Sequence, residues 1–357
     1  MLYRDVTEGF LERARTGRVS LGVHTSSMSP QLIELYGFSG LDFVILSTEV
    51  EPLDSGRMDD LLRAANAART LPIVKIRRPD PDLVADWLTF GAPMVMVPHI
   101  TSGPQLEQMI AASKFAPLGT RGQCPAARYT GYSTIDLDAS RDMANRTSSV
   151  IPIIEDREAL SRLDEIAAVP GYDILEIGPF DLGLSLGQPG VGYHSPVVLD
   201  AIEEIAAAAR RHGKAVAAPL WVTGDTDSAS KIIAWQMEQL ISRGVTILYS
   251  IEVVQLSSYF RTLMPLRGVR LRTDAEAAAL EAAEEPTTPP AARTSAKAAR
   301  TVAKAARTPA KAARTPAKAA RTPAKAARTP AKAARTPAKT ISKARAPVAP
   351  ARRRSPR

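Results

Sequence analysis

Residues 150–181 read VIPIIEDREALSRLDEIAAVPGYDILEIGPFD and give the clearest indication of the fold. It holds two apolar runs, 150–156 and 174–181, each of the length typical of a buried strand. The segment between them is long enough for a crossover helix, which a chain needs before it can add a second parallel strand. The stretch therefore predicts one strand–helix–strand unit of a parallel α/β fold.

The same alternation of strands and helices extends over residues 19–265. Helical segments between the strands include 58–70, where apolar residues recur at helical spacing, and 197–211, which is rich in Ala, Ile and Glu. Eight strands in about 250 residues are typical of a closed (β/α)₈ TIM barrel, and a doubly wound open sheet is the alternative. The predicted strands are 19–26, 42–49, 72–78, 94–100, 150–156, 174–181, 214–221 and 246–252.

The carboxyl-terminal part has a different composition from the rest of the chain. Residues 291–357 contain 8 Lys, 12 Arg and no acidic residue, so their net charge is +20. Because the net charge of the whole chain is +9, the first 290 residues have a net charge of −11. From Ala296 the motif AKAARTP repeats every seven residues, and its prolines interrupt helices. We predict a barrel domain at 1–268, a linker at 269–295 and a disordered basic low-complexity tail at 296–357.

The basic tail resembles the Lys/Ala/Pro-rich tails of linker histones. Its charge predicts binding to nucleic acid or another polyanion by neutralisation of phosphates, without reading of sequence. No aromatic residue is interleaved for stacking on bases. The alternative is a repeat that expanded neutrally and serves only as a solubilising segment or docks on the acidic body.

Composition also limits the compartment. Cys124 is the only cysteine, which excludes an intrachain disulfide or a thiolate cluster. The first 18 residues have scattered charges and no apolar run of signal-peptide length, and no window is apolar enough for a membrane span. We therefore predict a cytoplasmic protein without membrane contact, with nucleoid association following from the tail if it binds nucleic acid.

Two carboxylates end consecutive predicted strands. Glu155 follows IPII and Asp181 follows ILEIGPF, and in a parallel barrel the carboxyl ends of neighbouring strands meet at one mouth. Two adjacent carboxylates repel each other and are best satisfied by a cation. With no Cys or paired His nearby, the ligands are oxygens, which suit Mg²⁺ or Mn²⁺. The alternative is two unrelated acids that cap helices.

Several segments resemble the HpcH/HpaI aldolase and citrate lyase family, within the phosphoenolpyruvate/pyruvate-binding barrel superfamily. The resemblance extends over nearly all of residues 1–268 in the right order, and GPFDLGLSLG is its most specific part. The segments are PQLIELYGFSGLDFVIL (30–46), GAPMVMVPHITSGPQLEQMI (91–110), PLGTRG (117–122), IIEDREAL (153–160) and VPGYDILEIGPFDLGLSLG (169–187).

The resemblance implies a function and a set of site residues. Glu155 and Asp181 would hold the divalent metal, and a pyruvate-like 2-oxo acid or its enolate would bind through its carboxylate and keto oxygens. Backbone groups of Gly178, Phe180 and Asp181 would hold the substrate carboxylate. Arg121, in the PLGTRG loop, would lie near the mouth of the barrel.

The resemblance also implies an assembly. Members of the family commonly form hexamers by exchange of the last barrel helix, which corresponds to residues 253–264. We therefore expect a homo-oligomer.

The sequence departs from the family at the second and third strands. The family's Asp-x-Glu-His motif corresponds to residues 47–50, so Val50 stands in place of the histidine base and Glu49 matches the glutamate that supports the metal's water shell. Lys75 replaces an arginine that contacts the keto oxygen, keeping the charge but losing the planar fork. Ile153 replaces a polar residue two positions before Glu155.

The loss of the histidine leaves the base open. Glu49, Glu51, His24 and His99 are candidates, although each histidine is also explained as an ordinary core or surface residue. Losing a positioned base costs about 100- to 10,000-fold in steps that need proton transfer. Decarboxylation of a β-keto acid needs no such base.

We therefore predict a metal-dependent carbon–carbon lyase of the aldolase or decarboxylase type, in which decarboxylation or condensation persists and aldol cleavage is weak. Glu49 and Lys75 are the predicted catalytic residues. One alternative is a catalytically impaired barrel that serves as a scaffold or as a binding protein tethered to nucleic acid. Another is citrate-synthase-like condensation from the same enolate.

Overall fold

The barrel is closed and all of its strands are parallel. The computed structural model describes residues 3–49, 55–190 and 192–264. The strands follow one another around the barrel in chain order, and β1 pairs with both β2 and β8, which confirms the TIM barrel and excludes the open sheet. The strands are β1 (Ser20–Thr25), β2 (Phe43–Ser47), β3 (Leu71–Lys75), β4 (Met94–Val97), β5 (Ser149–Ile154), β6 (Ile174–Ile177), β7 (Ala215–Leu220) and β8 (Ile247–Ile251).

The helices alternate with the strands. The predicted helical segments 58–70 and 197–211 overlap observed helices that start earlier than expected, and the first of these helices ends at Ala67. The helices are α1 (Arg4–Arg15), α2 (Pro30–Phe38), α3 (Ser55–Ala67), α4 (Pro81–Phe90), α5 (Gly103–Ser113), α6 (Leu137–Thr147), α7 (Arg157–Ser161), α8 (Leu163–Ala168), α9 (Pro179–Ser185), α10 (Pro196–Arg211), α11 (Thr226–Ser242) and α12 (Glu252–Leu263).

The predicted carboxyl ends of the strands were too long. The strand predicted over 174–181 ends at Ile177, because Pro179 begins α9 and fixes a helical φ there. Asp181 therefore lies in the first turn of a helix rather than on a strand. Similarly, β5 ends at Ile154, so Glu155 is the first residue after it.

The core has two layers. Strand residues that point outward pack against the helices, and those that point inward fill the barrel. Helix α1 closes the amino-terminal end, where Phe10 packs on Phe43 with 5.4 Å between ring centroids. That end is filled by apolar side chains, which leaves the carboxyl-terminal mouth as the end that can hold a site.

A buried glutamate joins the first and last strands of the barrel. Glu252, the first residue of α12, is 2% exposed. Its Oε2 accepts hydrogen bonds from the Thr25 hydroxyl at 2.6 Å, from the Ser26 N–H at 2.8 Å and from the Ser27 N–H at 2.9 Å. Burial alone would raise the pKa of Glu252, but these donors outweigh it and lower the pKa below 4.5. The contacts tie the β1 loop to α12.

Helix α12 presents an apolar face to solvent. Tyr259 and Phe260 are each 55% exposed, and Val253, Leu256 and Leu263 are exposed beside them. The helix coincides with the segment 253–264 through which the resemblance implies exchange between subunits.

Some predictions fall outside the described residues. These are the replacement at Val50, the candidate base Glu51, the linker 269–295 and the tail 296–357. Within the described part of the chain, no helix combines the length and the hydropathy needed to cross a lipid bilayer.

Candidate active site

A cavity of about 180 Å³ opens at the carboxyl-terminal mouth of the barrel. It brings together six of the seven predicted site residues, which come from the ends of β2, β3 and β5 and from the β6–α9 turn. These residues are Glu49, Lys75, Glu155, Gly178, Phe180 and Asp181. The meeting of separate strand ends in one cavity is what a parallel barrel requires.

Glu155 is buried and is held in place by His99. It is 3% exposed, and its Oε1 accepts a hydrogen bond from the backbone N–H of His99 at 2.9 Å. His99 has a φ of 51°, a left-handed conformation that is uncommon for a residue other than glycine and typical of strained functional positions. The His99 ring also contacts the Asp156 carboxylate, at 3.1 Å from Nδ1 to Oδ2.

The groups around Glu155 do not fully stabilise its negative charge. Burial raises the pKa of Glu155, and the Asp181 carboxylate raises it further. The His99 N–H and the Lys75 ammonium oppose this shift without cancelling it, so the pKa stays above its ordinary value of 4.5. A cation between the two carboxylates would relieve both burial and repulsion.

Gly178 allows α9 to approach Glu155. A Cβ at this position would lie 2.5 Å from Glu155 Oε2 and 2.7 Å from Glu155 Cβ, so no larger residue fits. This close approach places the first turn of α9, with Phe180 and Asp181, at the edge of the cavity. Backbone N–H groups in a first helical turn have no partner within the helix.

Lys75 and Glu49 form an ion pair at the other side of the cavity. The Lys75 Nζ lies 2.5 Å from Glu49 Oε2, and the Lys75 side chain is 18% exposed. Lys75 ends β3 beside Ser47 of β2, so the pair is positioned by two neighbouring strands. The lysine therefore keeps a positive charge at the mouth while its charge is partly neutralised by Glu49.

Arg121 is the one predicted site residue that the structure does not bring to the cavity. Its guanidinium lies between the rings of Phe115 and Tyr129, 4.6 and 4.8 Å from their centroids. It is 6% exposed and lines a separate cavity of about 40 Å³. Stacking on two rings, rather than a substrate, accounts for its position within a single chain.

Three polar residues that line the cavity were not among the predicted site residues. Glu176, from the middle of β6, and Tyr249, from β8, line its interior end together with His24 from β1. Only His24 was considered, as a substitute base. The signal for Glu176 was its position as a lone acid within the apolar strand ILEI.

The residues present fit a divalent metal with few protein ligands. Among residues 3–49, 55–190 and 192–264, no group of three or more His, Cys, Asp or Glu side chains is arranged to hold a metal ion. Mg²⁺ is commonly bound by one or two carboxylates, with the remaining positions taken by water and substrate oxygens. Glu155 and Asp181 suit that arrangement and leave positions open.

A family model matches residues 20–249, from the start of β1 into β8, and its description is HpcH/HpaI aldolase/citrate lyase. The chain belongs to this family. Membership confirms the predicted resemblance, and the chain is an enzyme of the lyase class.

Two relatives and one solved structure show the extent of the similarity. The 2-dehydro-3,6-dideoxy-6-sulfogluconate aldolase of Pseudomonas putida is 32% identical over 209 residues, 58% of this chain and 78% of the relative. The 2-keto-3-deoxy-L-rhamnonate aldolase of Escherichia coli is 29% identical over 262 residues, 72% of this chain and 94% of the relative. An HpcH/HpaI aldolase/citrate lyase family protein from Burkholderia cenocepacia superposes with a TM-score of 0.63 at 27% identity, covering 73% of this chain and 99% of that one.

Proposed function

We propose that the protein is a divalent-metal-dependent carbon–carbon lyase that acts on a pyruvate-like 2-oxo acid through an enolate. The observation that carries the proposal is the pairing of Glu155 and Asp181 in one cavity, where burial and mutual repulsion leave Glu155 in need of a cation. Both curated relatives carry the names of aldolases whose substrates are 2-oxo-3-deoxy acids. The fold, the carboxylates and the relatives agree on one class of reaction.

Each predicted residue has a role in this proposal. Glu155 and Asp181 hold Mg²⁺ or Mn²⁺, which when bound supplies a Lewis acid for the substrate's keto oxygen. The backbone at Gly178, Phe180 and Asp181 orients the substrate carboxylate. The Lys75 ammonium stabilises negative charge that develops on the substrate.

Glu49 positions the Lys75 ammonium through the 2.5 Å ion pair. It is also the described candidate closest in sequence to Val50, where the family's histidine base is replaced. We propose that Glu49 orders water at the site, as the matching residue does in the family. Arg121, which lies in a separate cavity, has no role in a site built from one chain.

Decarboxylation of oxaloacetate tests the class of reaction most sharply. Loss of CO₂ generates the enolate without removal of a proton by a base, whereas aldol cleavage must deprotonate a hydroxyl group. With Mn²⁺ present, we expect purified protein to release pyruvate from oxaloacetate faster than from a 4-hydroxy-2-oxo acid. Pyruvate release is followed by a coupled dehydrogenase assay, and faster aldol cleavage would show that another group replaces the lost histidine.

The alternative of a catalytically impaired scaffold predicts metal binding without turnover. Citrate-synthase-like condensation predicts incorporation of a second 2-oxo acid in place of pyruvate release. The replacement of the histidine base at Val50 favours the impaired scaffold, whereas the retained carboxylates Glu155 and Asp181 and the GPFDL segment favour the lyase. Absence of pyruvate release at saturating Mn²⁺ would favour these alternatives.

The assembly is proposed as a homohexamer joined through α12. Its exposed Tyr259 and Phe260 are the kind of aromatic side chains that subunit interfaces bury. Light scattering at several concentrations tests this, and a monomer at all of them would contradict it.

The tail is proposed to tether the enzyme to nucleic acid. Its +20 charge over residues 291–357 favours binding through phosphates with release of counterions. We expect the full chain to bind duplex DNA of any sequence at low salt and to lose most affinity by about 200 mM salt. A version lacking residues 291–357 is the control, and equal binding by both would contradict the proposal.

A further inference from the structure

Three polar side chains, two buried and one half-buried, form the floor of the cavity. Glu176 is 1% exposed and Tyr249 is 7% exposed, and His24 completes the set from the neighbouring strand β1. They line the same cavity as Glu155 and Asp181 but belong to the inward-facing positions of the barrel strands. The proposed lyase function assigns them no role.

The hydrogen bonding of this floor is incomplete. The Tyr249 hydroxyl donates to Glu176 Oε1 at 2.5 Å. Glu176 Oε2 and His24 Nδ1 are buried and have no hydrogen-bond partner within the described ranges of the chain. Buried polar atoms are nearly always paired with protein, water or ligand, so two unpaired atoms in one cavity point to a bound group.

The neighbouring strands cannot supply the missing partner. Glu176 is flanked by Ile153 on β5 and by Ala217 on β7, both apolar. The His24 ring lies against the ring of Tyr249, with 6.4 Å between centroids. The remaining direction is the cavity itself, from which a ligand would approach.

The charge states of Glu176 and His24 indicate which chemical group of a ligand they can bind. Burial raises the pKa of Glu176 to about 8, and burial with the nearby Lys75 lowers the pKa of His24 to about 4. Both side chains are therefore mainly neutral at pH 7. A neutral donor and acceptor pair suits a hydroxyl group, which can donate and accept at once, better than a carboxylate or an ammonium group.

We propose that Glu176 and His24 bind a hydroxyl group on C3 of the substrate at the floor of the cavity, so that the enzyme binds 3-hydroxy-2-oxo acids more tightly than 3-deoxy compounds of equal size. Tyr249 is a positioning residue that holds the Glu176 carboxyl. The proposal rests on the proposed function, because it takes the 2-oxo acid as the substrate class and adds the group that distinguishes one member from another.

Two probes of equal size test the preference. Hydroxypyruvate and 2-oxobutanoate have the same number of non-hydrogen atoms and differ by a hydroxyl in place of a methyl group. Titration calorimetry of the full chain loaded with Mn²⁺ is expected to give tighter binding of hydroxypyruvate by roughly 5- to 150-fold, because the deoxy compound leaves buried polar atoms unpaired.

Substitutions identify the residue responsible. Glu176→Leu is expected to remove the preference, whereas Glu176→Gln, which keeps a hydrogen-bonding group, retains most of it. Tyr249→Phe is expected to reduce the ratio in part. Glu238→Gln, at an exposed position on α11, is the matched control and is expected to leave the ratio unchanged.

Equal affinity for the two probes in the unsubstituted protein would overturn the proposal, as would an undiminished preference in folded Glu176→Leu. If circular dichroism shows that Glu176→Leu does not fold, His24→Leu bears the same prediction, and an unchanged ratio there is equally decisive. The proposed lyase function can fail separately. A binding preference that depends on Glu176, without pyruvate release from any 2-oxo acid, would contradict the lyase function and support the hydroxyl-binding role of Glu176.

Discussion

Two glutamates at the same end of the barrel are buried to the same degree and yet have opposite electrostatics. Glu252, at the seam between β8 and β1, is 2% exposed and has a lowered pKa, and Glu155, at the mouth beside β6, is 3% exposed and has a raised pKa. One oxygen of Glu252 receives three hydrogen bonds. Glu155 receives one backbone N–H and faces the Asp181 carboxylate.

The difference separates a structural acid from a functional one. Three donors stabilise the ionised form of Glu252, so its charge contributes to the stability of the fold. Burial and the Asp181 carboxylate favour the neutral form of Glu155, so its ionised form needs a cation that the chain does not supply. The comparison predicts that removing the first charge weakens the fold and that removing the second weakens the chemistry.

The largest expected effect is on turnover. Glu155→Gln and Asp181→Asn are each expected to reduce Mn²⁺-dependent pyruvate release by at least about 1,000-fold, since metal stabilisation of developing charge is worth several kcal/mol. The assay is pyruvate formation from oxaloacetate at saturating Mn²⁺. Glu252→Gln is the matched control. An equal loss of pyruvate release in Glu252→Gln and in the Glu155 and Asp181 variants would contradict a specific role of Glu155 and Asp181 in turnover.

Next in size is an effect on stability at the seam. Glu252→Gln replaces an ionised acceptor of three hydrogen bonds with a neutral amide, and the free energy of unfolding is expected to fall by about 1–3 kcal/mol. Urea denaturation followed by circular dichroism measures it. Exposed Glu238→Gln should stay within about 0.5 kcal/mol. A seam variant that behaves like this control would show that the three donors contribute no net stability.

The pH dependence of that difference is a smaller effect with a defined sign. Because the pKa of Glu252 in the folded protein lies below 4.5, the folded state favours the ionised form, and its contribution is complete above pH 4.5. The contribution is lost as the pH falls through the folded pKa. The stability difference between the native chain and Glu252→Gln should therefore shrink on acidification, and a difference that grows would contradict the lowered pKa.

The smallest expected effect is on the stability of the metal-free mouth. Glu155→Gln keeps an oxygen that can accept from the His99 N–H and removes a buried charge next to Asp181. We expect the free energy of unfolding of the metal-free protein to change by no more than about 0.5 kcal/mol, or to rise. A loss of about 2 kcal/mol or more would mean that Glu155 supports the fold as Glu252 does.

The barrel could be predicted from sequence because its signal is local and repeated. Eight apolar runs separated by helical segments define the order and direction of the strands, and each observed strand overlaps its prediction. The ends were predicted less well. Runs such as 174–181 remain apolar after the strand stops, and Pro179 then starts a helix.

The candidate site was predictable where it depends on strand ends. Glu49, Lys75 and Glu155 share one cavity because parallel strands bring their carboxyl ends together, and Asp181 reaches it from the first turn of α9 after β6. The position of Arg121 could not be predicted, because it depends on packing between Phe115 and Tyr129, which the local sequence does not encode.

Glu176 was missed for a related reason. A single acid within ILEI reads as one residue of a buried strand, and only the register of β6 against β5 and β7 shows that it faces the cavity. Tyr249 likewise becomes a site residue only through its hydrogen bond to Glu176, 73 positions away in the chain.

Binding of Mn²⁺ to the full chain measures whether Glu155 and Asp181 are metal ligands. Titration calorimetry is expected to detect one site in the native protein and in Glu252→Gln, and no site of comparable affinity in the double variant Glu155→Gln/Asp181→Asn. A double variant that is folded and binds Mn²⁺ as tightly as the native protein would contradict the assignment of the two carboxylates as metal ligands.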